Sequence, residues 1–288
     1  MQYGVVFPAP EIAADPGAIR DYAQTVEDLG YEHLLTFDHV LGAGLGTRPD
    51  WSGPYDHSHK FHEPFVLMGF LAAATKRLEM VTGIVILPQR QTALVAKQAA
   101  EVDVLTEGRL RLGVGIGWNP VEYEALNRDF TTRGRRLAEQ VAVLRKLWTT
   151  ELVTYVGEDH TIRDAGINPL PVQRPIPLWG GAFRPAAIER VCRLMDGFFP
   201  RMPLDDKTEG RLERVWQYLE THGRDRGRFG IDATVYCKGE DVERWLRDAE
   251  RWRELGATHI SVQTLGQGYA SWKQHLDAIQ NFKESLGD

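Results

Sequence analysis

Met80-Val81-Thr82-Gly83-Ile84-Val85-Ile86 and Arg109-Leu110-Arg111-Leu112-Gly113-Val114-Gly115 are two short runs separated by Thr92 to Leu105, a longer segment that Gly108 closes. The first run is apolar nearly throughout, as a strand covered on both faces must be, and the intervening segment has helical length. Parallel strands need a crossover of a dozen or more residues, usually a helix. The stretch therefore reads as a βαβ unit, and the same alternation continues in both directions.

Upstream, Gly4-Val5-Val6-Phe7 reads as a strand, Asp15-Pro16 as the N-cap and first residue of a helix ending at Gly30, and His33 to Asp38 as a second strand. A Gly-rich connection covers Val40 to Glu63 before Pro64 opens a helix through Ala74. Downstream, Leu137, Val141, Leu144 and Trp148 form one apolar stripe at helical period. Leu152 to Tyr155 and His160 to Ile162 then read as an inserted hairpin, and Pro169 to Pro177 as a wrapping connector. Leu178-Trp179, Gly197 to Pro200, Ile231 to Cys237 and His259 to Gln263 complete eight strands. Helices follow at Pro185 to Leu194, at Asp241 to Leu255 and after the capping box Ser271-x-x-Gln274. The expected fold is a single (β/α)8 TIM barrel over residues 1–288, with a small inserted hairpin and an extended loop after strand two. A doubly wound open sheet is the rival.

Composition narrows function. With 34 Lys and Arg against 40 Asp and Glu, the formal charge of -6 disfavours nucleic acid and anionic lipid as partners. The longest apolar run, Phe65 to Ala74, is about half the ~20 residues of a membrane span. A cytoplasmic protein with a small-molecule organic substrate is expected. Cys192 and Cys237 are too few for a thiolate metal site or a disulfide framework. Trp216, Trp245 and Trp252 lie in helical patterns and mark either outer-helix packing or the face of a homodimer.

In a barrel the chemistry sits at the C-terminal ends of the strands. Asp38-His39 ends strand two, where an acid beside an imidazole can hold or deliver a proton near neutral pH. The following loop carries Trp51, Tyr55, His57, His59 and His62, an aromatic cover or, alternatively, a set of metal ligands. Gly113 to Trp118 has G-x-G-x-G spacing, which departs from the dinucleotide fingerprint but lets backbone approach a flat ring. Gly180-Gly181-Ala182-Phe183-Arg184-Pro185 combines free N–H groups, a helix N-terminus and a cation, a phosphate site in kind. Gln263 to Gly268 is a second candidate for that role, and Arg201 can add charge to the same mouth. Phe7, Trp51, Tyr55 and Trp118 are the expected substrate contacts.

Taken in order, Thr36-Phe37-Asp38-His39, Thr82 to Pro88 with Arg90, Glu107-Gly108-Arg109-Leu110 leading to Gly113-Val114-Gly115-Ile116-Gly117-Trp118-Asn119, Trp179-Gly180-Gly181 and Asp196 to Pro200 resemble the luciferase-like monooxygenase superfamily, in particular its F420-dependent oxidoreductases. The resemblance implies a flavin-type ring at the barrel mouth, with coenzyme F420 or, alternatively, FMN as cofactor. It implies a strand-three bulge with a non-prolyl cis peptide at about Ile84–Val85 behind the ring. Gly115, Ile116 and Gly117 would lie against the ring, and Gly180, Gly181, Ala182 and Arg184 beside the phosphate. His39 would handle the proton, with Asp38 orienting it or touching the ring. Members acting on sugar phosphates carry an acid after the strand-four glycines and a Trp four residues after the His; this chain has Trp118 and Ala43 there. The common His-Pro after the strand-three arginine is replaced by Gln91-Thr92. Hydride exchange by F420, oxygen activation by reduced FMN, a metal-dependent hydrolase or isomerase, and a catalytically silent barrel that sequesters a flavin are the four readings carried forward.

Overall fold

The computed structural model describes residues 1–12, 14–202 and 204–287. Eight strands close a barrel: β1 (Gln2–Val6), β2 (His33–Phe37), β3 (Glu79–Ile86), β4 (Leu110–Gly115), β7 (Leu178–Gly181), β8 (Gly197–Phe199), β9 (Gly230–Tyr236) and β10 (His259–Gln263). Each pairs in parallel with the next, and β1 pairs with β10, so the rival open sheet is excluded. β5 (Val153–Val156) and β6 (Thr161–Ala165) form the inserted antiparallel hairpin.

The flanking helices are α1 (Pro16–Asp28), α2 (Pro64–Ala74), α3 (Thr92–Leu105), α4 (Pro120–Ala125), α5 (Arg133–Thr149), α6 (Pro185–Leu194), α7 (Thr208–Thr221), α8 (Val242–Glu254) and α9 (Trp272–Ser285). Their starts follow from local chemistry. Asp15 accepts from the Gly17 N–H with Pro16 behind it, and Ser271 accepts from the Gln274 N–H. The Gln274 side chain reaches back to the Ala270 N–H, one residue earlier than a standard capping box. On α5 the stripe Leu137, Val141, Leu144 and Trp148 is buried as its spacing requires. Trp245 and Trp252 are buried as well and serve helix packing, whereas Trp216 is half-buried under the Arg226 guanidinium.

β3 carries one residue more than either neighbour. Thr36 pairs with Thr82 but Phe37 with Ile84, and on the other side Val81 pairs with Arg111 but Val85 with Val114. The expected bulge is therefore present, centred on Gly83. The expected cis bond is not: among the described residues the cis peptides are Asn168–Pro169 and Arg174–Pro175.

The barrel interior is layered. An apolar layer of Val6, Leu35, Val81, Trp179 and Phe199 lies above a buried polar layer nearer the N-terminal ends of the strands. There the Arg111 guanidinium bonds Asp232 at 3.1 Å and Glu79 at 2.9 Å, with the Trp179 ring 4.4 Å from its carbon. Asp232 also meets His33 Nε2 at 3.2 Å and accepts from the Ser261 hydroxyl at 2.7 Å. Burial works against the Asp232 charge, yet His33 and Arg111 hold its carboxyl far below the ordinary range. Replacing Asp232 with Asn leaves Arg111 short of a buried counter-charge and takes the carboxylate away from His33 Nε2. Urea unfolding of Asp232→Asn is expected to show a loss of about 3–5 kcal/mol, and a loss under ~1 kcal/mol would mean that Glu79 alone satisfies Arg111.

Candidate active site

The C-terminal ends of β2, β3, β4, β7 and β8 surround a cavity of about 460 Å³, within the ~300–1,000 Å³ common for small-molecule sites. Its floor is set by the bulge. One extra residue in β3 turns Ile84 inward beside Gly83 and keeps Ile86 inward two positions on, and both isoleucines line the cavity. Three glycines make room for them. A Cβ on Gly115 would stand 3.0 Å from Ile84, one on Gly181 2.6 Å from Ile84, and one on Gly117 2.7 Å from Ile86. The glycines thus accommodate an isoleucine shelf, and their open backbone forms the remainder of the same wall.

Asp38 locks this wall to β2. Its carboxylate accepts from the Ile86 backbone N–H at 3.0 Å and bonds Arg90 Nη2 at 2.7 Å, while Arg90 Nη1 holds Glu63 at 2.9 Å. Burial raises the Asp38 pKa, with Arg90 opposing. The carboxylate is therefore committed to Arg90 and Ile86, and the expectation that it orients His39 is corrected. The His39 partner is Glu122, with 3.5 Å between Nδ1 and Oε1.

Glu122 was not singled out from the sequence. It is fully buried in the first turn of α4, a helix started by Asn119, whose side chain accepts from the Val121 N–H, and by Pro120. Glu122 Oε1 also accepts from the Val40 N–H at 2.8 Å, tying α4 to the start of the long loop. The signal available in the sequence was the cap Asn119, the proline Pro120 and an acid in the helical turn that they open.

The His39 ring is packed edge-on by Phe61 and Trp118, with centroids 4.7 and 5.7 Å away, and lies 5.2 Å from Tyr55. Trp51 stacks on Trp118 at 5.7 Å and donates to the Tyr55 carbonyl. The Val40 to Glu63 loop therefore does cover the mouth with aromatic side chains. His39 lines both the 460 Å³ cavity and a neighbouring one of about 490 Å³ reaching Arg90 and Leu94.

Of the expected site residues, Asp38, His39, Tyr55, Ile84, Gly115, Ile116, Gly117, Trp118, Gly181, Ala182 and Arg184 come together around this cavity. Four do not. Val85 points outward into the core between barrel and helices, because the bulge places it out of phase with Ile84 and Ile86. A Cβ on Gly180 would meet Val191 and Met195, so that residue faces α6. Phe7 is fully buried against Tyr22 and His62. Trp51 does not line the cavity and reaches it through Trp118 and the Tyr55 carbonyl.

Phe37, Phe130, Phe183 and Arg133 line the cavity without having been singled out. Arg133, at the start of α5, lies 3.6 Å over the Phe130 ring. Arg184 caps α6, while the alternative loop at Gln263 to Gly268 turns to Glu11 and does not line this cavity. Arg133, Arg184 and Arg201 are the cationic lining residues, and Asp38, already engaged, is the carboxylate. The cavity is an electropositive, largely apolar chamber. The loop histidines diverge: His59 pairs with Asp56 at 3.1 Å, whereas the His62 ring stands 6.2 Å from Phe7. Among the described residues no group of three or more His, Cys, Asp or Glu is arranged to hold a metal.

Comparisons with known proteins agree with this geometry. The sequence model of the luciferase-like monooxygenase family matches residues 1–283. An uncharacterized protein of Mycobacterium tuberculosis is 34% identical over 207 residues, covering 70% of this chain and 71% of the relative. An F420-dependent glucose-6-phosphate dehydrogenase of Kineococcus radiotolerans is 29% identical over 259 residues, covering 84% of this chain and 70% of the relative. Among solved structures, an F420-dependent secondary alcohol dehydrogenase superposes with a TM-score of 0.80 at 16% identity over 100% of this chain and 99% of its own. That likeness is one of fold. Among the described residues, no helix is long and apolar enough to cross a membrane.

The Asp38–Arg90 pair yields a pH-dependent expectation. A folded-state pKa raised above the ordinary 3.8 favours the protonated carboxyl, so its contribution to stability is lost as pH rises through the folded value. Arg90→Met removes the group that opposes burial. The variant should lose about 3–5 kcal/mol at neutral pH. Its urea midpoint should also fall more steeply than that of the wild type as pH rises from about 4 to 7. A pH slope identical to the wild type would remove Asp38 from this account.

Proposed function

Because the chain belongs to the luciferase-like monooxygenase family, we propose that it is an oxidoreductase that exchanges hydride between coenzyme F420 and an organic substrate in the cavity beside His39. The observation that carries this reading is the isoleucine shelf opened by Gly115, Gly117 and Gly181 in a chamber whose free charges are all positive. Such a chamber suits a flat, anion-bearing cofactor. The F420-dependent relative at 29% identity favours the deazaflavin over FMN. Once bound, the cofactor supplies a carbon that takes up or releases hydride, so the protein needs no nucleophile of its own.

The residues divide the remaining work. Ile84 and Ile86 back the ring, and Arg133, Arg184 and the N-terminus of α6 receive the phosphate. His39 keeps Nδ1 toward Glu122, leaving Nε2 to give or take the substrate proton. Trp118, Tyr55 and Phe61 pack around that imidazole and exclude water. A sugar phosphate is not the favoured substrate. Trp118 stands on the cavity wall where sugar-phosphate members carry an acid, and Ala43 is fully buried where they carry a Trp.

We place the enzyme in the cytoplasm as a homodimer. α2 exposes Val66 and Phe70 one turn apart, and neighbouring α3 exposes Leu94 and Leu105 on one of its faces, an apolar surface suited to a second copy. Sedimentation equilibrium is expected to give twice 32.6 kDa for the wild type and a single chain for Phe70→Asp; a monomeric wild type would end this part of the proposal.

The central reading is tested by titrating the protein with F420 and, in parallel, FMN. Micromolar affinity for F420 with FMN far weaker is expected, while preferential FMN binding would shift the assignment to a reduced-FMN monooxygenase. His39→Ala should keep F420 affinity within a few-fold and lower turnover by roughly 10²–10⁴. An unchanged rate would remove His39 from the mechanism.

A further inference from the structure

Arg111 and Arg201 both reach into the barrel, and their surroundings differ in kind. Arg111, in the lower layer, is matched by two carboxylates. Arg201 follows β8 and lies in the upper layer, where its Nη1 donates to the Thr234 hydroxyl at 3.1 Å. Its guanidinium carbon stands 4.7 Å from the centroid of the Phe37 ring and 5.7 Å from that of Phe199. Nη2 is buried without a hydrogen-bond partner. The nearby acid, Asp232, is already engaged by Arg111 and His33 one layer below.

This arrangement is costly in the free protein. A guanidinium does not escape burial by losing its proton, and a buried charge without a counter-ion is among the least favourable groups a core can hold. Arg201 lines the cavity beside Phe37, Tyr55 and Ile84, so a ligand reaching that depth meets the guanidinium, whose unpartnered Nη2 is packed beside Gly83. An anion arriving there offsets the cost.

We infer that Arg201 binds the carboxylate of the substrate, making the enzyme specific for organic acids with an apolar, ring-sized body. One free nitrogen among aromatic faces matches a single negative charge. A phosphate dianion would retain half its charge uncompensated on Arg201 alone, whereas Arg133 and Arg184 enter the cavity from the start of α5 and the cap of α6. The inference names the substrate class for the hydride-transfer reading and rests on it for the reaction, though not for the binding.

Isothermal titration of benzoate, benzamide and phenyl phosphate, with and without F420, tests it. Benzoate is expected to bind the F420-free protein at least about tenfold more tightly than benzamide, and more tightly than phenyl phosphate. Arg201→Gln should abolish the benzoate preference, Arg201→Lys should keep part of it, and Arg133→Gln should keep all of it. Equal binding of benzoate and benzamide by the wild type, including none of either, would overturn the inference without recourse to any variant. A preference that survives in Arg201→Gln, or passes to phenyl phosphate, would overturn it as well. Loss of the benzoate preference when F420 binds would assign Arg201 to the cofactor ring and sink the substrate assignment. If F420 fails to bind, the cofactor reading falls, while the F420-free comparison still decides the role of Arg201.

Discussion

The Asp38 carboxylate is the constraint on which the site depends. It fastens the last residue of β3, through the Ile86 N–H, to the residue that follows β2, and it draws Arg90 and through it Glu63 onto the same point. A bulged strand has an irregular ladder and needs support from elsewhere. Here the support is a buried ion pair at the edge of the bulge, and because the pair is desolvated it is directional and sensitive to the loss of either partner. The inward turn of Ile84 and Ile86 and the close approach of Gly115, Gly117 and Gly181 all presuppose the register that Asp38 holds.

The two layers of the barrel show how one scaffold separates stability from binding. Toward the N-terminal ends, Arg111, Asp232, His33 and Ser261 satisfy one another across four strands. Toward the C-terminal ends, Arg201 has a threonine, two aromatic faces and an unpartnered donor. Asp232 acts on this cation from a distance, because its oxygens are held by Arg111, His33 and Ser261. A fully paired upper layer would be more stable and would have nothing left to offer a ligand.

What the sequence made legible follows periodicity. Strand runs, caps and the α5 stripe are local, and each survives in the structure because tertiary packing asks for the same faces that the pattern supplies. The misplaced residues follow from events that periodicity does not record. A single inserted residue in β3 sent Val85 to the outer core while its neighbours lined the cavity, and the two adjacent glycines of β7 face opposite ways, Gly180 to α6 and Gly181 to Ile84. Phe7 lies beyond β1 and turned under α1 to meet Tyr22. Glu122 was missed for a different reason: its contact with His39 spans 83 positions, and the cap, proline and acid that open its six-residue helix say nothing of that partner.

That contact also explains why the long loop belongs to the site. Glu122 holds the Val40 N–H and His39 with one oxygen, so the entry of the loop and the imidazole share an anchor. Phe61 and Tyr55, from the far end of the loop, close on the other faces of the same ring. Movement of the loop away from the mouth would strip the aromatic packing from His39 and admit water to the imidazole. Closure restores a dry imidazole with one nitrogen directed to Glu122. Cover and imidazole are therefore one mechanical unit, joined through the Glu122 carboxylate.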